Sequence, residues 1–91
     1  MVKFYKANDN VHKYVAKFDN GQLVAFGSWG YEDYTTHGDP KRKERYLKRH
    51  RANEDWNNPR TAGALSRWIL WNKPSLEESI QDYVRRFNMH M

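Results

Sequence analysis

The sequence predicts one small α+β domain, an antiparallel β-meander or hairpin followed by three helices. Three observations lead there. A turn signal, Asp19-Asn20-Gly21, separates two short stretches of strand-forming residues. Two helix-start signals, Asp39-Pro40 and Ser75, each open a helical pattern. Between them runs an apolar stripe at helical spacing. The expected organisation is a single domain over 1–91, with a β part at 1–27, an aromatic loop at 28–39 and a helical part at 40–87.

The strands come first. Val11 to Phe18 alternates, placing His12, Tyr14, Ala16 and Phe18 on one face and Val11, Lys13, Val15 and Lys17 on the other. After the Asn20-Gly21 turn, Gln22 to Gly27 returns as its partner. Val2 to Lys6 supplies a third strand, so a three-stranded meander is the simplest arrangement. Ser28 to Asp39 has no period and is rich in Gly, Asp, Thr and aromatic residues, which predicts a loop pinned by its rings.

The helices follow. Asp39 as N-cap and Pro40 at the first position predict a helix over 40–51. Arg42, Tyr46 and His50 share one of its faces, and Lys43, Leu47 and Arg51 another. Thr61 caps a second helix over 62–72, with Leu65, Trp68, Ile69 and Asn72 as its stripe and Trp71 beside it. Lys73-Pro74 ends it. Ser75-Leu76-Glu77-Glu78 has the form of a capping box and opens a third helix to about 87. Leu76, Ile80, Val84 and Phe87 are its expected buried stripe, with Tyr83 alongside. Trp68 and Ile69 are expected to be largely buried against Leu65, Leu76, Ile80 and Val84. Asn88 to Met91 is expected to fray.

Composition narrows the function classes. There is no Cys, so neither a disulfide nor a thiolate metal site is available. No apolar run approaches the ~20 residues of a membrane span. The first ten residues lack the apolar stretch of a signal peptide, so an interior location rather than secretion is expected. Phosphate-binding loops, dinucleotide fingerprints and nucleophile elbows are absent, and no cofactor is implied.

The charge is concentrated. Lys41 to Arg51 holds seven of the sixteen Lys and Arg residues and a single acid, Glu44, a local balance of +6 in a chain whose total is +5. The remaining chain is therefore near neutral. Such a run is commonly a solvated helix face. Packed this densely, the charges repel one another, and an anionic partner removes that repulsion. The expected contacts are Lys41, Arg42, Arg45, Lys48, Arg49 and Arg51. Trp29, Tyr31 and Tyr34 are candidate stacking or contact aromatics, set against the simpler reading that they roof a small core. Asp33, His37, His50 and Glu54 are the raw material for a metal site or a His-based nuclease. No metal-ligand spacing is matched, and Asp39 is already explained as a cap, so no catalytic or metal residue is assigned. Arg67, a charge within the apolar stripe, is expected to pair with Glu54 or Asp55 and clamp the preceding loop.

Three elements of the sequence resemble a family of short proteins of nucleocytoplasmic large DNA viruses, including algal viruses and iridoviruses. The first is Gly30, Asp33, Tyr34, Thr35, His37, Asp39 and Pro40. The second is Arg45, Tyr46, Arg49 and His50. The third is Ala62, Gly63, Ser66, Arg67, Trp68, Leu70 and Trp71. The resemblance covers about Phe26 to Ser75, with a shorter connection between the basic and tryptophan helices than many relatives have. It implies a viral setting, in the virion or the interior of an infected cell, and carries no activity. The expectation is a non-enzymatic virion-associated module, such as a minor capsid component, contacting viral structural proteins through the basic helix. The alternative is a nucleic-acid-binding protein that packs or processes the genome. A nuclease is a distant third.

Overall fold

The computed structural model describes residues 1–90. Three antiparallel strands, β1 (Val2–Lys6), β2 (Tyr14–Phe18) and β3 (Leu23–Phe26), form a meander in the order β1-β2-β3. Four helical elements follow: α1 (Tyr34–His37), α2 (Pro40–His50), α3 (Ala62–Leu65) and α4 (Leu76–Arg86). The architecture is α+β.

The register pairs Val2 with Phe18, Phe4 with Ala16, Ala16 with Val24 and Tyr14 with Phe26. Because successive side chains alternate, these residues share the face turned to the core. Strand β2 begins at Tyr14, three residues later than the alternation predicts. The Asp9 carboxylate accepts hydrogen bonds from the backbone N–H groups of Val11 (3.0 Å) and His12 (2.9 Å). Asn10 takes a positive φ of 58°. This local turn draws Val11 to Lys13 into the β1–β2 connection. At the hairpin, the Gly21 N–H donates to the Phe18 carbonyl at 2.9 Å, and Gly21 alone in that turn carries a positive φ, 86°. Glycine suits that position because it has no Cβ to clash.

The region 28–39 is not wholly loop. Tyr34 to His37 fold into the one-turn helix α1. The Asp33 side chain accepts from the Thr35 N–H, and the Thr36 hydroxyl accepts from the Asp33 N–H, a capping box with Thr in the reciprocal role. Gly38 closes the turn in the left-handed region. Helix α2 follows the sequence expectation closely, with the Asp39 side chain accepting from the Lys41 N–H and Pro40 at the first position.

Helix α3 runs without a break into a π-helical segment, Ser66–Leu70, in which the Trp71 N–H reaches back to the Ser66 carbonyl at 3.0 Å. The expected helix over 62–72 thus ends earlier and changes pitch. The wider turn alters which side chains face inward. Leu65, Ile69 and Leu70 are buried, whereas Trp68 is only half-buried, correcting its expected place in the core. The start of the segment packs on β3, and its end packs on α4. At Gly27 (φ 79°) a Cβ would stand 2.7 Å from the Leu70 side chain, so glycine permits this close approach of sheet and helix.

The buried face of α4 is also rotated from its expected stripe. Ser79 and Tyr83 are fully buried; Leu76, Ile80, Val84 and Phe87 flank them, half-buried. The Tyr83 hydroxyl donates to the Pro59 carbonyl at 2.8 Å, and the Lys73 N–H donates to the Ser79 hydroxyl at 2.9 Å. These polar groups are admitted to the core because each finds a partner. Residues 88–90 do not fray. Asn88 (φ 54°) closes α4, with the Met89 N–H bonded to the Val84 carbonyl and the Asn88 N–H to that of Arg85, a Schellman arrangement. Met89 packs on the core, and the His90 carbonyl accepts from the Val2 N–H at 2.7 Å. Met91 lies outside the described residues.

Candidate anion-binding cleft

Helix α2 carries little apolar surface, so its orientation depends on a few contacts. The Tyr46 ring is buried and lies parallel to the Trp71 ring, with centroids 4.3 Å apart. His50 stacks on Tyr46 in turn, also at 4.3 Å. Lys43 points inward as well. Its ammonium donates to the Asn72 carbonyl at 2.7 Å and stands 4.9 Å from the centre of the Tyr34 ring. Burial pushes the Tyr46 phenol above its ordinary pKa, reinforced by the nearby Glu54 carboxylate. Burial pulls the Lys43 ammonium below its ordinary value, reinforced by Arg67 and Lys73.

With Tyr46 and Lys43 turned inward, helical periodicity fixes the rest. Arg42, Arg45 and Arg49, spaced three and four residues apart, fall on one face. They line a cleft of about 550 Å³, together with Gly27, Ser28, Tyr31, Glu32 and Asp33 and the start of α3 at Ala62 and Gly63. The sequence-predicted contacts therefore divide. Arg42, Arg45 and Arg49 line the cleft, the first half-buried and the other two exposed, whereas Lys41, Lys48 and Arg51 are exposed and do not line it.

The cleft also holds carboxylates, and each has a cation or donor of its own. Asp33 is buried, caps α1 and accepts from the Lys13 ammonium. Glu54 accepts from the Trp56 indole N–H at 2.9 Å and meets the His50 ring at 3.1 Å. Glu32 meets Arg42 at 3.4 Å, an exposed pair and hence weak. Arg45 and Arg49 have no carboxylate partner among the described residues. Four cations of the lining, Lys13, Arg42, Arg45 and Arg49, outnumber its three carboxylates, Glu32, Asp33 and Glu54, and the unpaired guanidiniums give the cleft a positive character at that end.

The candidate aromatics divide too. Tyr31 lines the cleft and is 74% exposed, and Trp29, two residues earlier, is 59% exposed. Tyr34 is half-buried beneath Lys43 and beside His37, which makes it a structural ring rather than a free contact. Asp33, His37, His50 and Glu54 do not assemble into a metal centre. His37 accepts from the Asp39 N–H and packs on Trp71 away from the cleft, and no metal-holding group of three occurs among the described residues. Arg67 pairs with neither Glu54 nor Asp55. Its guanidinium lies 4.2 Å from the centre of the Trp68 ring and 5.4 Å from that of Trp56, and donates to the Trp71 carbonyl at 3.0 Å. Together with the Trp68 indole, which donates to the Trp56 carbonyl at 2.8 Å, it does clamp the preceding loop, through rings and carbonyls instead of acids.

Lys13 and Glu32 line the cleft although neither stands out in the sequence. The signal for Lys13 was the Asn8-Asp9-Asn10 turn chemistry, which takes residue 13 out of the regular strand. Glu32 has no such signal.

These features define a small α+β domain with a cationic cleft between its basic helix and its aromatic loop. Residues 2–50, more than half of the chain, match a family of unknown function (DUF5754), and the chain belongs to that family. The matched stretch contains the sheet, the aromatic loop and all of α2. No curated protein and no solved structure shows significant similarity to the chain. No described helix is long and apolar enough to cross a membrane.

Proposed function

We propose that this chain is a non-enzymatic interaction module that engages an anionic partner through Arg42, Arg45 and Arg49. On the resemblance to short proteins of large DNA viruses, its setting is the virion, where it serves as a minor component in contact with larger structural proteins. The observation that carries the reading is the pair Arg45 and Arg49, which line the cleft with no carboxylate partner among the described residues while its acids are met by Lys13, Arg42 and His50. Cations that serve the fold have partners in it: Lys13 and Arg60 meet carboxylates, and Lys43 and Arg67 meet carbonyls and rings. Two unpaired guanidiniums on one wall are instead available to a ligand, and their planar forks suit carboxylate or phosphate oxygens.

The test is salt elution from an immobilised polyanion such as heparin. Wild type elutes at higher salt than R45E/R49E, and in virus-infected cells the same variant is lost from particles. Equal elution and equal incorporation for a folded R45E/R49E would leave the basic helix as a solvated face and defeat the proposal.

A further inference from the structure

We infer that the anion taken by the cleft is the backbone of a single-stranded nucleic acid, its bases stacking on Tyr31 and Trp29. The inference deepens the proposed anion-binding role and rests on it. Three features argue for it together.

The first is the shape of the charge. Arg42 to Arg49 spans seven residues, about 10 Å along the helix axis. That is a rail for a chain of phosphates more than a point site for one ion. The second is concavity. A double helix is read by an element that protrudes into its groove, whereas these arginines face into a cleft of about 550 Å³, within the range of small-ligand pockets. One strand fits such a space; a duplex does not. The third is the aromatic loop. Trp29 and Tyr31 are the two aromatic rings most exposed to solvent among the described residues; Tyr31 lines the cleft beside the arginine wall, and Trp29 stands two residues earlier in the same loop. The loop is held in place, with the Trp29 N–H bonded to the Val11 carbonyl at 2.9 Å and the Tyr31 N–H to the Ser28 carbonyl at 3.3 Å. Exposed rings on a held loop, one of them lining a cationic cleft, match the way single strands are bound, because every base offers a stacking face whatever its identity.

The experiment is a fluorescence-anisotropy titration of the full chain with a labelled oligothymidylate of about 15 nucleotides and with a duplex of equal length. Wild type binds the single strand at least about tenfold more tightly than the duplex, with a log–log salt slope of about −2 for three phosphates on a single strand. W29A/Y31A, whose sites are exposed, folds normally and weakens single-strand binding by about 10- to 100-fold, while its heparin elution moves far less than that of R45E/R49E. R45E/R49E loses both; K41E/K48E, with the same change of charge outside the cleft, loses far less. If the duplex binds as tightly, or W29A/Y31A binds the single strand as wild type does, the strand inference fails. Heparin retention that still depends on Arg45 and Arg49 would then leave the anion-binding role standing. If R45E/R49E elutes from heparin with wild type, both fail together.

Discussion

The rings of Tyr46 and Trp71 lie 4.3 Å apart and within 5° of parallel. With the Lys43 ammonium bonded to the neighbouring Asn72 carbonyl, this stack joins the basic helix to the end of the tryptophan segment and sets which way the arginines face. Helix α2 has only one buried residue, Tyr46 itself, so no broad apolar stripe holds it in place. A short helix this basic gains little from its own propensity and depends on tertiary contact.

Removing that contact is therefore expected to be costly. Tyr46→Ala should lower stability by about 3–5 kcal/mol, as loss of a buried aromatic does, and should loosen the arginine row. Chemical denaturation measures the first effect, and hydrogen exchange at the α2 amides the second. A loss below about 1 kcal/mol would show that other contacts orient the helix.

Lys43 should behave differently from the arginines around it. Lys43→Gln breaks the bond to the Asn72 carbonyl and the contact with the Tyr34 ring, so it should cost about 1–2 kcal/mol. Heparin elution should move far less than for R45E/R49E, because Lys43 faces the protein. Denaturation and elution on the same preparation separate the two roles.

Asp33 ties the aromatic loop to the sheet. Asp33→Ala removes an N-cap and leaves the Lys13 ammonium, itself only partly exposed, without its partner. The expected loss is about 3 kcal/mol or more, larger than a cap alone would give. Asp33→Asn, which can still cap, should lose less. Equal losses for the two variants would mean that the charge is immaterial there.

Tyr83 carries a polar group into the core. Tyr83→Phe preserves the packing and strands the Pro59 carbonyl, for an expected cost of about 1–2 kcal/mol. Ile69→Ala, at a fully buried apolar position, should cost about 2–5 kcal/mol. Thermal unfolding of the two variants checks both figures.

Acid should expose the role of Asp9. The His12 side chain, and then the His12 and Val11 amides, hold its carboxyl well below the ordinary value of 3.8. A depressed acid stabilises the fold above its unfolded pKa, and that contribution fades as pH falls through the folded one. Wild type should therefore be more stable than Asp9→Asn near neutrality. The difference should shrink between about pH 4 and pH 2. A gap independent of pH would assign the effect to the turn's shape alone.

The sequence by itself determined the elements whose causes are local. Gly21 supplies the positive φ of the hairpin, and Asp39, Thr61 and Ser75 cap the helices by bonding amides two or three residues on. Strand alternation already separated the core face of the sheet from its outer face. The concentration of charge in α2 was equally plain. Tertiary structure alone decided what that charge faces. Residue spacing orders side chains around a helix but cannot say which side meets the protein; Tyr46 and Trp71, 25 residues apart in the chain, choose it. The π turn at Ser66–Leu70 was hidden for the same reason, since burying both Ile69 and Leu70 against β3 and α4 is a demand of packing. Arg67 gave a true hint of a clamp and a false one of its partners, because a guanidinium is satisfied by rings and carbonyls as well as by acids, and only proximity in space selects among them.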